Sequence, residues 1–332
     1  MESFRDRGHD VTVIVRKIGT GIEVPDGVTV KRINMSWVPR DIRPPVFDSR
    51  LGRLLKREPL DFVLSLTKSS HQDAVLCPGN HIGFLKAIGK DNPGWKDRMH
   101  IRLERRSFDS SCFVLAASAM MKDELIQYYQ TAPEKIRVLF PPIDDHRFHQ
   151  RLRHRREELR RKHGFSPGKK SFVFISVSHG RKGLPVLLRA FETLREEPCE
   201  LLVAGPEPVK TDLPNVRHLG WVRETEELYA AADGFLLPAR YEPFGQVVAE
   251  SILCGTPVVI SHMVGAKEVV TDAEGLVVDS FDTDRWVEAI REVSERSYAI
   301  DSRFAERNGL RLSDHVDEIL QLATTGKNYT GH

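Results

Sequence analysis

Cysteine is scarce in this chain: Cys77, Cys112, Cys199 and Cys254 stand alone, with no CxxC pair and no histidine at metal-ligand spacing. That excludes a disulfide scaffold and a zinc-ribbon protein, and it predicts four reduced, mostly buried thiols. Net charge is almost absent, since 49 Lys and Arg face 47 Asp and Glu for a balance of +2. A surface built as a whole to grip nucleic acid is therefore excluded. Long apolar runs are missing as well. The stretch Ser251 to Ala266 carries no Asp, Glu, Lys or Arg, but Gly255, Pro257 and Gly265 interrupt it, so nothing is expected to span a bilayer. The opening Met1-Glu2-Ser3-Phe4-Arg5-Asp6-Arg7 has no apolar signal region, which points to the cytoplasm. There is neither an internal repeat nor a low-complexity segment.

What is present is an ordinary globular mix, 40% hydrophobic and 29% charged over 332 residues, enough for about two domains. Phe4 to Gly8 reads as the end of a helix closed by glycine. Val11-Thr12-Val13-Ile14-Val15 is an apolar, β-branched run, the mark of a strand buried on both faces of a parallel sheet. Further strands are expected at Val28–Ile33, Asp61–Leu66, Asp73–Cys77, Cys112–Ala116 and Ile136–Phe140, with a helix over Ala119–Tyr129 started by Ser118. A second set follows at Ser171–Ile175, Glu200–Ala204, Val216–Leu219, Gly234–Leu237, Pro257–Ile260 and Gly275–Val278. Strands alternating with helices predict an α/β protein of two doubly wound, Rossmann-like domains. The predicted divisions are 1–147, 148–302, and 303–332 as C-terminal helices packing back across a cleft, with a frayed tail from Thr324.

Two basic stretches are candidate surfaces. Arg151 to Lys162 holds seven Arg and Lys against two Glu and reads best as the solvated face of a helix. Residues 81–107 set Lys86, Lys90, Lys96, Arg98, Arg102, Arg105 and Arg106 among Phe84, Leu85, Ile88 and Trp95. That mixture suits either an anionic membrane surface or a helix packing its apolar side on the core.

The informative segment is Tyr241-Glu242-Pro243-Phe244-Gly245-Gln246-Val247-Val248-Ala249-Glu250, followed by Cys254-Gly255-Thr256-Pro257-Val258-Val259. Gly245 allows close backbone approach at a helix start, whose free amides suit an anion such as a diphosphate. Glu242 and Glu250 lie eight residues apart, and each carboxylate can accept a pair of hydroxyl hydrogen bonds of the kind sugars offer. In this setting the sequence resembles the retaining GT-B glycosyltransferases of family 4. Supporting segments are Gly180-Arg181-Lys182-Gly183, Leu202-Val203-Ala204-Gly205, His218-Leu219-Gly220-Trp221-Val222, Ala231-Ala232-Asp233, and Gly265 with Glu268. The S-H-G-R-K-G loop, Pro141-Pro142 and Leu66-Thr67-Lys68 place it nearest the lipopolysaccharide inner-core glucosyltransferase subgroup, which uses a basic, aromatic stretch for membrane contact.

The resemblance implies a nucleotide-sugar donor, UDP-hexose favoured, and a cell-envelope glycan or glycolipid acceptor, with no metal and no cofactor. Arg181 and Lys182 would hold the donor diphosphate and stabilise the leaving group, Glu250 would accept ribose hydroxyls, and Glu242 the hexose hydroxyls. The amides of Phe244, Gly245 and Gln246 lie near the hexose, and Trp221 and Val222 would meet the base. His81, or Asn80 beside it, would be the first domain's polar group near the anomeric carbon, with His71 a second candidate; Glu104 and Asp109 read as ion-paired. Departures from the family are Ser176 in place of Gly, Ala266 in place of a second Gly, and a start inside the first helix. The last implies a first domain without its N-terminal strand and Gly-rich loop, either because Met1 is internal to a longer protein or because the chain is a truncation. Two other readings remain open: a sugar-nucleotide epimerase, and a non-catalytic nucleotide-sugar-binding module.

Overall fold

The structure is a computed structural model that describes residues 1–19 and 21–326. The tail expected from Thr324 lies partly outside these; Thr324 and Thr325 continue the C-terminal helix Leu312–Gly326. Two compact units divide the chain: residues 1–117, 121–139 and Ser313 onward in one, and residues 118–120 with 140–312 in the other.

The first unit carries strands β1 (Val11–Val15), β2 (Val28–Arg32), β3 (Leu64–Ser65), β4 (Ala74–Cys77), β5 (Phe113–Ala116) and β6 (Ile136–Val138). Its helices are α1 (Glu2–Arg5), α2 (Arg43–Arg57), α3 (His81–Ala87), α4 (Trp95–Ser110) and most of α5 (Ala119–Glu124). The helix expected over Ala119–Tyr129 loosens to a π turn at Leu125–Tyr129. Gly8 ends the first helical turns at φ +85°, as its place in the sequence implied.

These strands form two parallel sheets, β1–β2 and β3–β4–β5–β6. Here the expectation for β1 fails: among the described residues it pairs only with β2, and all five of its residues are half-buried rather than enclosed on both faces. Its β-branched sequence sets the extended backbone, but burial depends on a neighbour on each side. The four-stranded sheet has the enclosed core, where Ala74, Phe113, Leu115 and Leu139 meet Ile319 and Leu322 of the C-terminal helix. Phe4 packs there too, and Arg7 secures the join through Asp317 at 2.8 Å.

The second unit is a six-stranded parallel sheet ordered β12–β11–β10–β7–β8–β9. Its strands are β7 (Lys170–Ile175), β8 (Cys199–Ala204), β9 (Val216–Gly220), β10 (Gly234–Leu237), β11 (Val258–Ser261) and β12 (Gly275–Val278), within a residue or two of expectation. Its helices include α6 (Arg156–Lys162), α7 (Leu184–Thr193), α8 (Thr225–Ala231), α9 (Gln246–Leu253), α10 (Thr283–Glu295) and the short α11 (Phe304–Arg307). Phe172, Val173 and Phe174 of β7 are fully buried, as a central strand covered on both faces requires. From β7 the chain winds to β8 and β9 on one side and to β10, β11 and β12 on the other. The order therefore reverses between β7 and β10, and ligands bind beyond the carboxyl ends of strands at such a reversal.

The basic run 151–162 is not a solvated face throughout. Arg156 and Arg160 reach Asp233 at 3.0 and 3.3 Å, Arg153 donates to Thr256 Oγ1 at 2.7 Å, and Arg160 is itself buried. Their planar guanidinium forks fasten the segment to the strand-end loops of the second unit.

Candidate active site

Both strands at the reversal lead straight into candidate residues. After β7 the chain turns through Ser178 to Gly183 and enters α7. Gly183 must be glycine here, because its φ is +89° and an added Cβ would lie 1.9 Å from the Pro238 carbonyl oxygen. That close approach lays Arg181 and Lys182 against the segment that follows β10. Lys182 Nζ meets Glu242 Oε2 at 2.5 Å, and Arg181 Nη1 lies 3.4 Å from the same oxygen while donating to the Tyr241 carbonyl at 3.0 Å. The Lys182 and Glu242 side chains are only 11% and 14% exposed, so the pair works in a partly dehydrated setting.

Glu242 is held by its backbone as well as its charge. Its N–H donates to the Met263 carbonyl at 3.0 Å, and its own carbonyl accepts from Gly265 N at 2.8 Å. Gly265 allows this turn, since a Cβ there would lie 2.0 Å from the Pro243 oxygen. Ala266, where the family pattern has a second glycine, donates its N–H to the Phe244 carbonyl at 2.7 Å. Gly245, at φ +94°, then opens α9, where the Val248 N–H turns back to the Gly245 carbonyl at 2.9 Å and the amides before it have no preceding turn to reach. The Phe244 ring is buried and stacks on Phe140 at 5.3 Å, and Gln246 Nε2 donates to the Pro142 carbonyl at 3.0 Å. Both side chains are thus engaged by the segment after β6.

Glu250 lies on α9 and accepts a hydrogen bond from Tyr229 Oη at 3.3 Å. Burial pushes its carboxyl pKa up, opposed by the Tyr229 hydroxyl and the nearby charges of Arg147 and Lys182. Tyr229 is a residue the sequence reading passed over. Gly220, at φ +72°, turns the end of β9 so that Trp221 stands 69% exposed, with Val222 half-buried beside it.

A second feature missed in the sequence is the clamp on the loop after β7. His179 donates its backbone N–H to Glu207 Oε2 and its Nε2 hydrogen to the Glu207 carbonyl, both at 2.7 Å. Ser176 Oγ accepts from Ser178 N at 3.0 Å, a loop contact that a glycine at this position could not supply.

The structure thus gathers Arg181, Lys182, Glu242, Gly245 and Glu250 around one set of strand ends in the second unit, while His81 belongs to the first. There His81 opens α3 at the carboxyl end of β4. Its backbone N–H donates to Glu104 at 3.0 Å, and its Nε2 pairs with Asp97 Oδ1 at 3.0 Å. Hydrogen bonds from Lys90 and then His81 hold the Asp97 carboxyl well below its usual range. Asn80 is a helix cap, its Oδ1 accepting from Gly83 N at 2.7 Å. His71 lies over Gly52, where a Cβ would fall 2.4 Å from its Nε2. Glu104 is ion-paired as expected, to Lys68 at 2.7 Å, and also accepts from the Tyr129 hydroxyl, whereas Asp109 makes no ion pair among the described residues and receives Lys135 Nζ on its backbone carbonyl at 2.9 Å. No helix among the described residues is long and apolar enough to cross a membrane.

Both parts of the chain match known families. Residues 155–309 match the family described as glycosyl transferases group 1, and residues 1–147 match glycosyltransferase family 4. A probable transglycosylase of Burkholderia thailandensis is 35% identical over 326 residues, covering 96% of this chain and 89% of that protein. The chain is a GT-B glycosyltransferase of family 4. The lipopolysaccharide glucosyltransferase WaaG of Escherichia coli is 26% identical over 269 residues, 68% of this chain and 70% of its own length. A crystal structure of WaaG, a glycosyltransferase involved in lipopolysaccharide biosynthesis, superposes with a TM-score of 0.73 at 23% identity, covering 100% of this chain and 94% of that one. The chain is thus similar to WaaG both in sequence and in fold.

Proposed function

We propose that this glycosyltransferase moves a hexose, glucose favoured, from a UDP-activated donor to a cell-envelope glycan or glycolipid, with retention at the anomeric carbon and without a metal. The observation that carries this reading is the Lys182–Glu242 pair, flanked by Arg181, beyond the carboxyl ends of β7 and β10. Arg181 and Lys182 meet the diphosphate and stabilise the charge that grows on its outer phosphate as the sugar–phosphate bond breaks. The acceptor oxygen forms the new bond on the face the phosphate leaves, and its proton passes to the departing phosphate oxygen. Glu242 and the Phe244–Gln246 amides orient the hexose, Glu250 takes the ribose hydroxyls, and Trp221 and Val222 border the base.

The first unit, in this reading, receives the acceptor, with His81 oriented by Asp97 as its polar group. Phe84, Ile88 and Trp95 are 41%, 49% and 60% exposed beside Lys86, Lys90 and Lys96, while Leu85 is buried. Basic residues around outward-facing apolar ones suit an anionic membrane face.

The test is incubation with UDP-, GDP- and ADP-glucose plus envelope glycolipid acceptors, with and without EDTA, followed by mass spectrometry and proton NMR of the product. A hexose added in α linkage from an α-donor, unaffected by EDTA, is expected. An inverted product or an EDTA-sensitive rate contradicts the proposed mechanism, epimerised donor without transfer supports the epimerase, and binding without turnover supports the non-catalytic module.

A further inference from the structure

Glu250 has a neighbour whose placement the donor-site reading does not use. Tyr229, on α8, is fully buried, with its ring edge-on to Phe235 of β10 at 5.5 Å and 82° and tilted against Phe148 at 6.2 Å. Its carbonyl accepts from Thr256 Oγ1 at 2.5 Å, which ties the same residue to the turn before β11. A fully buried ring packed against two others and tied at the backbone is held in place, so its hydroxyl is a fixed donor to Glu250 Oε2. Burial and the nearby Glu250 charge push the phenol pKa well above its ordinary value, so the proton stays on the oxygen across the working range.

Among the described residues the Tyr229 hydroxyl is the one hydrogen-bond donor to the Glu250 carboxylate. Arg147, whose charge lowers the Glu250 carboxyl pKa, spends its guanidinium on Glu226 at 2.6 Å and on the Arg223 carbonyl at 2.7 Å. Lys182 is committed to Glu242. A glutamate side chain has three rotatable bonds, and one anchored oxygen removes most of that freedom while leaving the other oxygen able to accept.

We propose that Tyr229 is a positioning residue for donor binding, its buried hydroxyl orienting the Glu250 carboxylate to accept the vicinal hydroxyls of the donor's ribose. This rests on the reading that Glu250 holds the ribose. The bond is long for a hydroxyl–carboxylate pair, so its removal has a modest effect, about three- to ten-fold in donor affinity.

Protonation gives the effect a signature. An ionised carboxylate only accepts, whereas a protonated one gives up acceptor capacity that a hydroxyl pair needs. The groups facing Glu250 are Tyr229 and Glu226 of α8, Arg147 ahead of the six-stranded sheet, Lys182 of the loop after β7, and Cys254 at the end of its own helix. Burial raises the Glu250 carboxyl; the Tyr229 hydrogen bond, Arg147 and Lys182 lower it, and Glu226 raises it. Without the hydroxyl the carboxyl moves further up. Donor affinity then begins to fall at a higher pH as the solution is acidified.

The experiment is calorimetric titration of the full chain with UDP-glucose, whose diphosphate diester does not titrate near neutrality, at pH 5.5 and pH 8. GDP- or ADP-glucose replaces it if either binds the native chain more tightly. Native protein, Tyr229→Phe, Glu250→Gln and the double variant are compared, with circular dichroism to confirm the fold. Tyr229→Phe is expected to weaken binding at both pH values and more strongly at pH 5.5, to raise KM for the donor with kcat within about two-fold, and to add nothing on the Glu250→Gln background. A Tyr229→Phe loss that is absent, equal at the two pH values, or undiminished in the double variant overturns the proposal. If Glu250→Gln binds donor as the native chain does at both pH values, the ribose reading itself fails and the proposal with it.

Discussion

Replacing Lys182 with methionine separates the stability of the site from its chemistry. The methionine keeps the length and apolar stem but deletes the ammonium that Glu242 holds at 2.5 Å. Losing one member of a fully buried pair costs about 3–5 kcal/mol, because the survivor keeps its desolvation penalty without its partner. Here Arg181 stays 3.4 Å from the same Glu242 oxygen, with a side chain 30% exposed, and takes up part of that charge. The expected loss is therefore about 1–3 kcal/mol, or roughly 3–10 °C in the melting temperature of a domain this size. Glu242→Gln on top of Lys182→Met removes the stranded charge and is expected to recover most of that stability. Activity is expected to behave differently. In the proposed reading the ammonium stabilises the leaving phosphate, so kcat is expected to fall about 10²- to 10³-fold in the single variant and not to be restored in the double one. Differential scanning calorimetry and a product assay on the same preparations read both quantities. A Lys182→Met protein that melts normally and turns over within ten-fold of the native rate would refute the reasoning.

Gly265→Ala is expected to disturb the Glu242–Phe244 turn, since its Cβ would lie 2.0 Å from the Pro243 oxygen and 2.8 Å from Ser118 Cβ; the checks are a lower melting temperature and weaker donor binding. Glu104→Gln removes a charge that Lys68, the His81 amide and the Tyr129 hydroxyl share, and is expected to cost about 1–3 kcal/mol in urea unfolding. Burial pushes the thiols of Cys77 and Cys254 up to about 12 and that of Cys199 up to about 11, so at pH 8 these three are thiols rather than thiolates. Ellman's reagent is expected to label only half-buried Cys112 quickly in the folded chain, and all four after denaturation.

The sequence was most readable where backbone geometry leaves one residue type. Gly183, Gly245 and Gly265 stand where a side chain would strike a carbonyl or strain a positive φ, so the motif around them marks tight backbone turns that the fold contains. The apolar strands of the second sheet were readable for a related reason, because a central parallel strand must be apolar on both faces. The same rule misled at Val11–Val15, where the residues favour a strand but their half-buried state follows from the one neighbour β1 has. The basic run 151–162 misled because composition does not say where a guanidinium points; Asp233, over 70 residues later, receives two of them. Tyr229 and Glu207 escaped notice for the same reason. One is a buried aromatic in an alanine-rich helix and the other an exposed acid in a loop, and only tertiary contact gives either a role. In the first unit the ion-paired state of Glu104 was foreseen, whereas the hydrogen bond that turns His81 toward Asp97 was not.

The central claim is that a nucleotide-sugar is held by Lys182 and Glu250 at the reversal between β7 and β10. Titration calorimetry of the native chain, Lys182→Ala and Glu250→Ala with UDP and UDP-glucose tests it most directly. The account predicts binding to the native chain that each substitution weakens about ten-fold or more, ~1.4 kcal/mol. Native-like affinity in both variants would contradict it.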